Sequence, residues 1–218
     1  HFYVHAVGIT PKIDWKLIDI VVIHYSLRIA FDLITSKLLD QISDFKGLKV
    51  LFVQDEYDNT NKTYLAINSL GINLVYTCVP EEHIQKIYPK EKFSKVKFIN
   101  TLTGFTIDAK SSPINIPLIK DRTCLIAYRG RDLPYWYGDL GQEKKKIGEV
   151  MRAESIRRNL TVDISSDDIK RIYGDKWTSF IKKSKATLGT ESGSNIFDFD
   201  GKIKKKFLEY LNLFPSID

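Results

Sequence analysis

One short run decides the fold: Ile18-Asp19-Ile20-Val21-Val22-Ile23, which is almost wholly apolar and leads directly into the polar residues 24–26. A strand that is apolar on both faces is typical of a parallel sheet covered by helices on both sides. Similar runs recur at 50–53, 74–79 and 97–99. The sequence therefore predicts a series of buried, parallel strands in the first half of the chain.

Helical patterns lie between these runs. Residues 27–42 place apolar side chains near helical spacing, and Thr60–Leu70 is followed by Gly71, a residue type that often ends helices. This alternation of strand and helix predicts an α/β fold with a doubly wound parallel sheet, which is a Rossmann-like unit.

A break in this rhythm predicts a domain boundary. Residues 111–117 (Ser-Ser-Pro-Ile-Asn-Ile-Pro) combine prolines and serines that favour neither helix nor strand. We expect a first Rossmann-like domain over 1–115 and a second over 116–218. The second has patterns for strands at 123–127, 160–164 and 186–188 only, fewer than the five or so of a stable doubly wound domain. It is therefore predicted to be incomplete.

Charge and composition limit the partners and the compartment. The net charge is +6, and lysines gather at 144–146, 182–185 and 202–206 without the interleaved aromatic residues of single-strand nucleic-acid binders. We expect no nucleic-acid partner and membrane contact that is peripheral at most. Cys78 and Cys124 lie in apolar runs and are predicted to be reduced thiols. No signal peptide or membrane-crossing stretch is visible, so a cytoplasmic location is expected.

Polar loops follow every predicted strand, which is where ligands bind in parallel α/β sheets. His24 follows the first strand, and Asp55 and Glu56 follow the second. A histidine, or a carboxyl group whose pKa is raised by neighbouring carboxylates, can act as a general base. The alternatives for these residues are a hydrogen-bonded histidine and a solvated or metal-binding acidic loop.

Two later loops contain groups that suit a phosphorylated ligand. Arg129-Gly130-Arg131 combines two guanidinium groups with a residue that lets the backbone approach a phosphate. Glu191-Ser192-Gly193-Ser194 could hold a ribose or phosphate through amides, hydroxyls and a carboxylate. The alternatives are a surface turn for the first loop and a helix-capping turn for the second.

Motifs of several other enzyme classes are missing. The sequence has no Walker loop, no G-x-G-x-x-G, no G-x-S-x-G and no H-E-x-x-H, which argues against P-loop NTPases, typical dehydrogenases, α/β-hydrolases and zincins. Asp198-Phe199-Asp200 imitates an Asp-x-Asp metal motif, but this tripeptide is common. We therefore expect no metal site and no cofactor.

Several segments together carry a family resemblance. They are VVIHYS (21–26), FVQDEY (52–57), LTGF (102–105), AYRGRDLPYWYGDLG (127–141), IYGDKW (172–177) and ATLGTESGSNIFDFDG (186–201). In this order the set resembles a family of glycosyltransferases from bacterial surface-polysaccharide gene clusters, with a GT-B-like architecture of two Rossmann-like domains.

The resemblance implies a function and an assignment of residues. Such enzymes transfer a sugar from a nucleotide-sugar donor to a glycan or lipid-linked acceptor, generally without a bound metal. The first domain would meet the acceptor through His24, Asp55 or Glu56. The second would bind the donor through the Arg129–Arg131 and Glu191–Ser194 loops.

The chain also departs from the family pattern. Family members continue into a Pro-Arg-x-Phe-Glu-Ala-like segment whose glutamate is thought to hold the donor, and the sequence stops at Asp218 without it. If Asp218 is the natural end, donor binding is in doubt. If the chain is truncated, we expect it to be inactive on its own and the full-length protein to be a metal-independent glycosyltransferase. Two alternatives stay open: a non-catalytic Rossmann-like binding module, and another nucleotide-sugar-handling α/β enzyme.

Overall fold

The computed structural model describes residues 3–102, 104, 115–191 and 193–214. The chain divides into two compact units. Of the described residues, 3–102, 104 and 197–214 form the first unit, and 115–191 with 193–196 form the second. Within the described residues, no helix has the length and apolar character needed to cross a membrane.

The first unit is built on a four-stranded parallel sheet in the order β1-β2-β3-β4. Its strands are β1 (Ile20–Ile23), β2 (Leu48–Phe52), β3 (Leu74–Thr77) and β4 (Lys97–Asn100), and its helices are α1 (Ser36–Asp44), α2 (Thr60–Leu70), α3 (Ile84–Ile87) and α6 (Lys202–Leu213). The predicted parallel α/β organisation is confirmed here.

Helix α2 has the predicted bounds and the predicted stop. Gly71 adopts a left-handed φ of 63°, and its N–H bonds back to the carbonyls of Asn68 and Ile67. The pattern at 27–42 is different, because the α-helix begins only at Ser36, after Arg28 and Asp32 with left-handed φ values of 31° and 56°. The Thr35 hydroxyl accepts from the Leu38 N–H at 3.3 Å and caps this later start.

The winding of the first sheet differs from the prediction. Ile23, Leu51 and Val75 are neighbours in register on one face, and a single core cluster joins them to side chains of α1, α2 and α3. Right-handed crossovers between strands in sequential order place all connecting helices on that one face. On the other face, Ile20 and Val22 are 53% and 55% exposed. The described strands of this unit are therefore not doubly wound.

The second unit has a three-stranded parallel sheet in the order β6-β5-β7. Its elements are β5 (Cys124–Arg129), α4 (Asp139–Arg157), β6 (Val162–Ser165), α5 (Asp175–Lys182) and β7 (Ser184–Thr187). The chain passes from β5 to one side and then returns to the other, so right-handed crossovers place α4 and α5 on opposite faces. The doubly wound arrangement is present in this unit, with its reversal between β5 and β7.

The C-terminal segment corrects the predicted second domain, 116–218, because residues 197–214 belong to the first unit. Asp198 forms a β-bridge with Asp58, and its N–H donates to the Tyr57 carbonyl at 2.8 Å. Phe199 packs its ring 6.2 Å from that of Tyr64 in α2. These long-range contacts leave no local signal in the sequence.

Candidate functional site

The carboxyl ends of parallel strands meet at one edge of each sheet, so each unit brings its own polar loops together. In the first unit these loops follow β1, β2 and β3. In the second unit they follow β5, β6 and β7. The predicted site residues that the structure describes lie at these two edges.

His24 lies directly after β1 and is exposed. Its Nδ1 is 2.9 Å from the Ser26 hydroxyl and accepts the Ser26 N–H at 3.3 Å. The ring centroid lies 3.9 Å from that of Tyr25. The imidazole is thus fixed by a local turn but remains open to solvent, which is compatible with exchange of a proton with a ligand.

Asp55 follows β2 in a left-handed conformation, with a φ of 60°. The Tyr57 hydroxyl donates to its Oδ1 at 2.8 Å, and the Arg28 guanidinium is 3.7 Å from its Oδ2. Tyr25, Arg28, Gln54 and Asp55 line a very small cleft, about 10 Å³ in volume. The loops after β1 and β2 therefore meet at this cleft, next to the half-buried carboxylate of Asp55.

In contrast to the half-buried side chain of Asp55, the side chain of Glu56 is buried in the first unit and is only 4% exposed. It accepts hydrogen bonds from the Thr77 hydroxyl and, at 3.2 Å, from the Cys78 N–H. Burial raises the pKa of Glu56 from 4.5 to about 7, against the opposing effect of these hydrogen bonds. A carboxyl group enclosed in this way does not face a ligand. The structure therefore argues against the prediction that Glu56 is the base.

In the second unit, the Arg129 guanidinium is hydrogen-bonded to other groups of the protein. Its Nε donates to the Lys170 carbonyl at 3.1 Å, and its Nη2 pairs with Asp163 Oδ1 at 2.8 Å. Its Nη1 donates to the carbonyls of Tyr128 and Asp163, and the guanidinium carbon lies 4.4 Å from the Phe180 ring centroid. Its N–H groups bond to protein acceptors on β6 and the following turn. The predicted role of Arg129 in phosphate binding is corrected to a structural one.

Gly130 and Arg131 border an open cavity of about 210 Å³ at the carboxyl ends of β5 and β6. The exposed Arg131 guanidinium has no hydrogen-bond or ion-pair partner in the described part of the chain. At position 130 a Cβ would lie 2.5 Å from the Tyr128 ring, so any larger residue would have to displace this buried ring. All three residues of the Arg-Gly-Arg segment thus border the cavity, but only the Arg129 side chain is bonded to neighbouring groups of the described protein.

The opposite wall of this cavity was missed by sequence reasoning. It is formed by Ser165 at the end of β6 and by residues that follow this strand, namely Asp167, Asp168, Arg171, Ile172, Tyr173 and Trp177. Arg171 Nε pairs with Asp168 Oδ1 at 3.0 Å, while Tyr173 and Trp177 are 69% and 42% exposed. Their position after a predicted strand was the available signal, but the segment reads equally well as an ordinary helix start.

The loop after β7 lies next to the loop after β5, at the reversal of strand order. Ser194 Oγ is 2.9 Å from the Tyr137 carbonyl and 2.6 Å from the Ile196 carbonyl, and it accepts the Ile196 N–H at 3.0 Å. Ser194 therefore joins the two loops rather than facing a ligand. Gly193 has a φ of 114°, Glu191 is exposed, and Ser192 lies outside the described residues.

The Asp-Phe-Asp segment also has an internal role. Asp198 is 4% exposed, and its carboxylate accepts the N–H groups of Ile203 and Lys204 at 3.2 and 3.0 Å at the start of α6. Asp200 pairs with Lys202 at 2.6 Å. Among the residues that the structure describes, no group of three or more histidine, cysteine, aspartate or glutamate side chains is arranged to hold a metal ion.

Comparisons of the chain with family models, with curated proteins and with solved structures find no match. The geometry of the two units therefore carries the functional argument together with the resemblance of the sequence segments.

Proposed function

We propose that the second unit binds the nucleotide-sugar donor of a glycosyltransferase reaction. The observation that carries this proposal is the Arg131 side chain, without a hydrogen-bond or ion-pair partner in the described residues, at a cavity between the carboxyl ends of β5 and β6. Open α/β sheets bind ligands outside the carboxyl ends of their strands. The resemblance of the segments to bacterial polysaccharide glycosyltransferases points to the same class of ligand.

The chemistry of the cavity suits a nucleoside diphosphate. Arg131 offers paired N–H donors for a phosphate, and the exposed rings of Tyr173 and Trp177 offer surfaces on which a nucleobase can stack. Glu191, on the neighbouring loop, can accept a hydrogen bond from a sugar hydroxyl. Arg129 and Ser194 position these loops and do not bind the donor.

In the proposed reaction, an acceptor hydroxyl attacks the anomeric carbon of the donor, and the bond from that carbon to the diphosphate oxygen breaks. Arg131 stabilises the negative charge on the departing diphosphate. The hydroxyl proton passes to a general base. Considered by itself, the first unit has two candidate bases at its own sheet edge, the exposed His24 and the half-buried Asp55. No step requires a metal ion.

Replacing Arg131 tests this assignment. Hydrogen bonds to charged groups contribute about 1.5–3 kcal/mol, so Arg131→Ala should weaken binding of UDP, GDP, CDP or dTDP by roughly tenfold to a hundredfold, measured by calorimetry. Arg152→Ala removes an exposed arginine from α4 and serves as the control.

Equal binding by wild type, Arg131→Ala and Arg152→Ala would remove Arg131 from the donor site. If no nucleoside diphosphate binds the wild-type protein, the non-catalytic binding module becomes the better interpretation. If a nucleotide-sugar binds and is chemically altered without transfer to an acceptor, another nucleotide-sugar-handling enzyme is favoured.

A further inference from the structure

An apolar cavity of about 370 Å³ runs along the outer side of β1 in the first unit. Within the described sheet, β1 pairs with β2 only, so its other side borders this cavity. All four β1 residues line it, together with Trp15 and Leu17 of the preceding segment. Its volume falls within the range of about 300–1,000 Å³ that is typical of ligand pockets.

Apolar side chains remain in contact with water around this cavity. Leu17 is 69% exposed, and Ile20 and Val22 are each more than half exposed. A ligand that covers this surface would gain about 25 cal/mol of binding free energy for each Å² of apolar area removed from water. A contiguous apolar surface of this kind marks a site where a further apolar group binds.

A second, more open cavity of about 650 Å³ adjoins the first and shares the wall formed by residues 11–14. It is polar and contains Lys12 and Lys37, two exposed lysines without an ion-pair partner in the described part of the chain. Asp14 is the acidic residue on the shared wall, and its Oδ1 accepts the Lys16 N–H at 3.2 Å. Two ammonium groups against one carboxylate leave this cavity with a positive charge.

Lys37 lies in the first turn of α1, which follows the carboxyl end of β1. The polar cavity is therefore placed toward the edge of the sheet at which His24 and Asp55 lie. The apolar cavity extends from it along the strand.

We propose that the first unit binds an amphiphile whose hydrocarbon chain lies along β1 and whose phosphate head lies at Lys12 and Lys37. The apolar cavity shields the hydrocarbon chain of the ligand from water. The two ammonium groups complement the negative charge of the phosphate. This proposal rests on the proposed function and deepens it: of the two acceptor classes, a lipid-linked acceptor fits the first unit better than a free glycan.

The test uses the full chain with octyl phosphate and decyl phosphate, each below its micelle concentration, in isothermal calorimetry and in intrinsic tryptophan fluorescence, to which Trp15 at the cavity contributes. Each methylene that enters an apolar site contributes about 0.8 kcal/mol, equivalent to a fourfold gain in affinity. Decyl phosphate should therefore bind roughly fifteenfold more tightly than octyl phosphate. Inorganic phosphate and decyl maltoside, which carry only one half of the ligand chemistry, should bind far more weakly.

Matched variants locate the site. Ile20→Glu places a charge in the apolar cavity, and Lys12→Glu reverses a charge in the polar one; each should weaken decyl phosphate binding at least tenfold. Leu65→Glu, at a 70% exposed position on α2, and Lys95→Glu, at an exposed position before β4, are the controls. Leu17→Glu replaces Ile20→Glu if the latter fails to fold, as judged by circular dichroism.

Three results would overturn the proposal. If octyl and decyl phosphate bind with equal affinity, the protein has no site for the hydrocarbon chain. If inorganic phosphate binds as tightly as decyl phosphate, the site recognises an anion only. A wild-type dimer in sedimentation equilibrium that Ile20→Glu dissociates, without alkyl phosphate binding, makes a second copy of this chain the occupant.

The proposal of donor binding by the second unit and the proposal of amphiphile binding by the first unit can be tested independently. Ile20→Glu should leave binding of UDP, or of whichever nucleoside diphosphate the wild type binds, unchanged. Loss of alkyl phosphate binding with intact nucleotide binding would leave the donor assignment standing. Alkyl phosphate binding without any nucleotide binding would retain the amphiphile site and remove its role as acceptor.

Discussion

The two units use the same local pattern of strand and helix but wind it in different ways. The first unit runs β1-β2-β3-β4 in sequence order with its core on one face, whereas the second places β5 between β6 and β7 with helices on both faces. A reversal of strand order opens a crevice at the ends of the strands, and a sequential order does not. The difference teaches that strand order, more than strand composition, decides which unit has such a crevice.

The largest expected effect tests whether the one-sided core carries the first unit. Ile67 on α2 is fully buried, and Ile67→Ala should lower the free energy of unfolding by about 2–5 kcal/mol, measured by urea denaturation. Leu65→Ala, on the exposed side of the same helix, should change it by less than about 0.5 kcal/mol. Similar losses for both variants would show that α2 is buried on both of its sides, which would contradict the one-sided packing of this helix on the core.

The next effect concerns pH and is confined to the first unit. Because burial raises the pKa of Glu56 from 4.5 in the unfolded chain to about 7, the folded protein binds this proton more tightly than the unfolded chain does. This contribution to stability is fully present below pH 4.5 and is lost as the pH rises through about 7. The shift corresponds to about 3 kcal/mol.

Glu56→Gln tests this pH dependence, because glutamine keeps an oxygen that can accept from Thr77 and Cys78 but carries no charge. The variant should be more stable than wild type at pH 8, and most of that advantage should disappear at pH 5, measured by urea denaturation at each pH. Asp55→Asn changes the neighbouring carboxyl outside the core and should not reproduce this pattern. A constant difference between Glu56→Gln and wild type across this range would contradict the assignment.

The smallest effect sharpens the contrast between the two arginines of the second unit. Arg129→Lys loses the forked hydrogen bonding to β6 and the stacking on Phe180, so it should destabilise the protein by about 1 kcal/mol. Its affinity for nucleoside diphosphates should stay close to that of wild type. Arg131→Ala should leave the stability of the protein nearly unchanged and weaken binding of nucleoside diphosphates. A large loss of affinity in Arg129→Lys would instead show that Arg129 contributes to the proposed donor site.

Local sequence was a good guide where short-range physics decides. Gly71 ends α2 because a residue without a Cβ adopts the left-handed conformation at little cost. The pattern at 27–42 misled, because its apolar spacing is compatible with a helix that Arg28 and Asp32 interrupt. Periodicity does not report left-handed backbone at two non-glycine residues.

The candidate site was predictable only in part. Position after a strand identified His24, Asp55, Gly130 and Arg131, since the carboxyl edge of a parallel sheet is fixed by its topology. It did not reveal that Glu56 points into the core or that Arg129 bonds to β6. Those outcomes depend on partners that are distant in the chain, Thr77 in one case and Asp163 in the other.

The sequence by itself determined the parallel α/β class and most of the strands, because apolar runs and glycine stops act over a few neighbouring residues. Only the tertiary structure decided the strand order of each sheet, the return of 197–214 to the first unit, and which arginine of Arg129-Gly130-Arg131 bonds to neighbouring groups of the described protein. These features arise from pairings between segments far apart in the chain, whose energies no local pattern encodes.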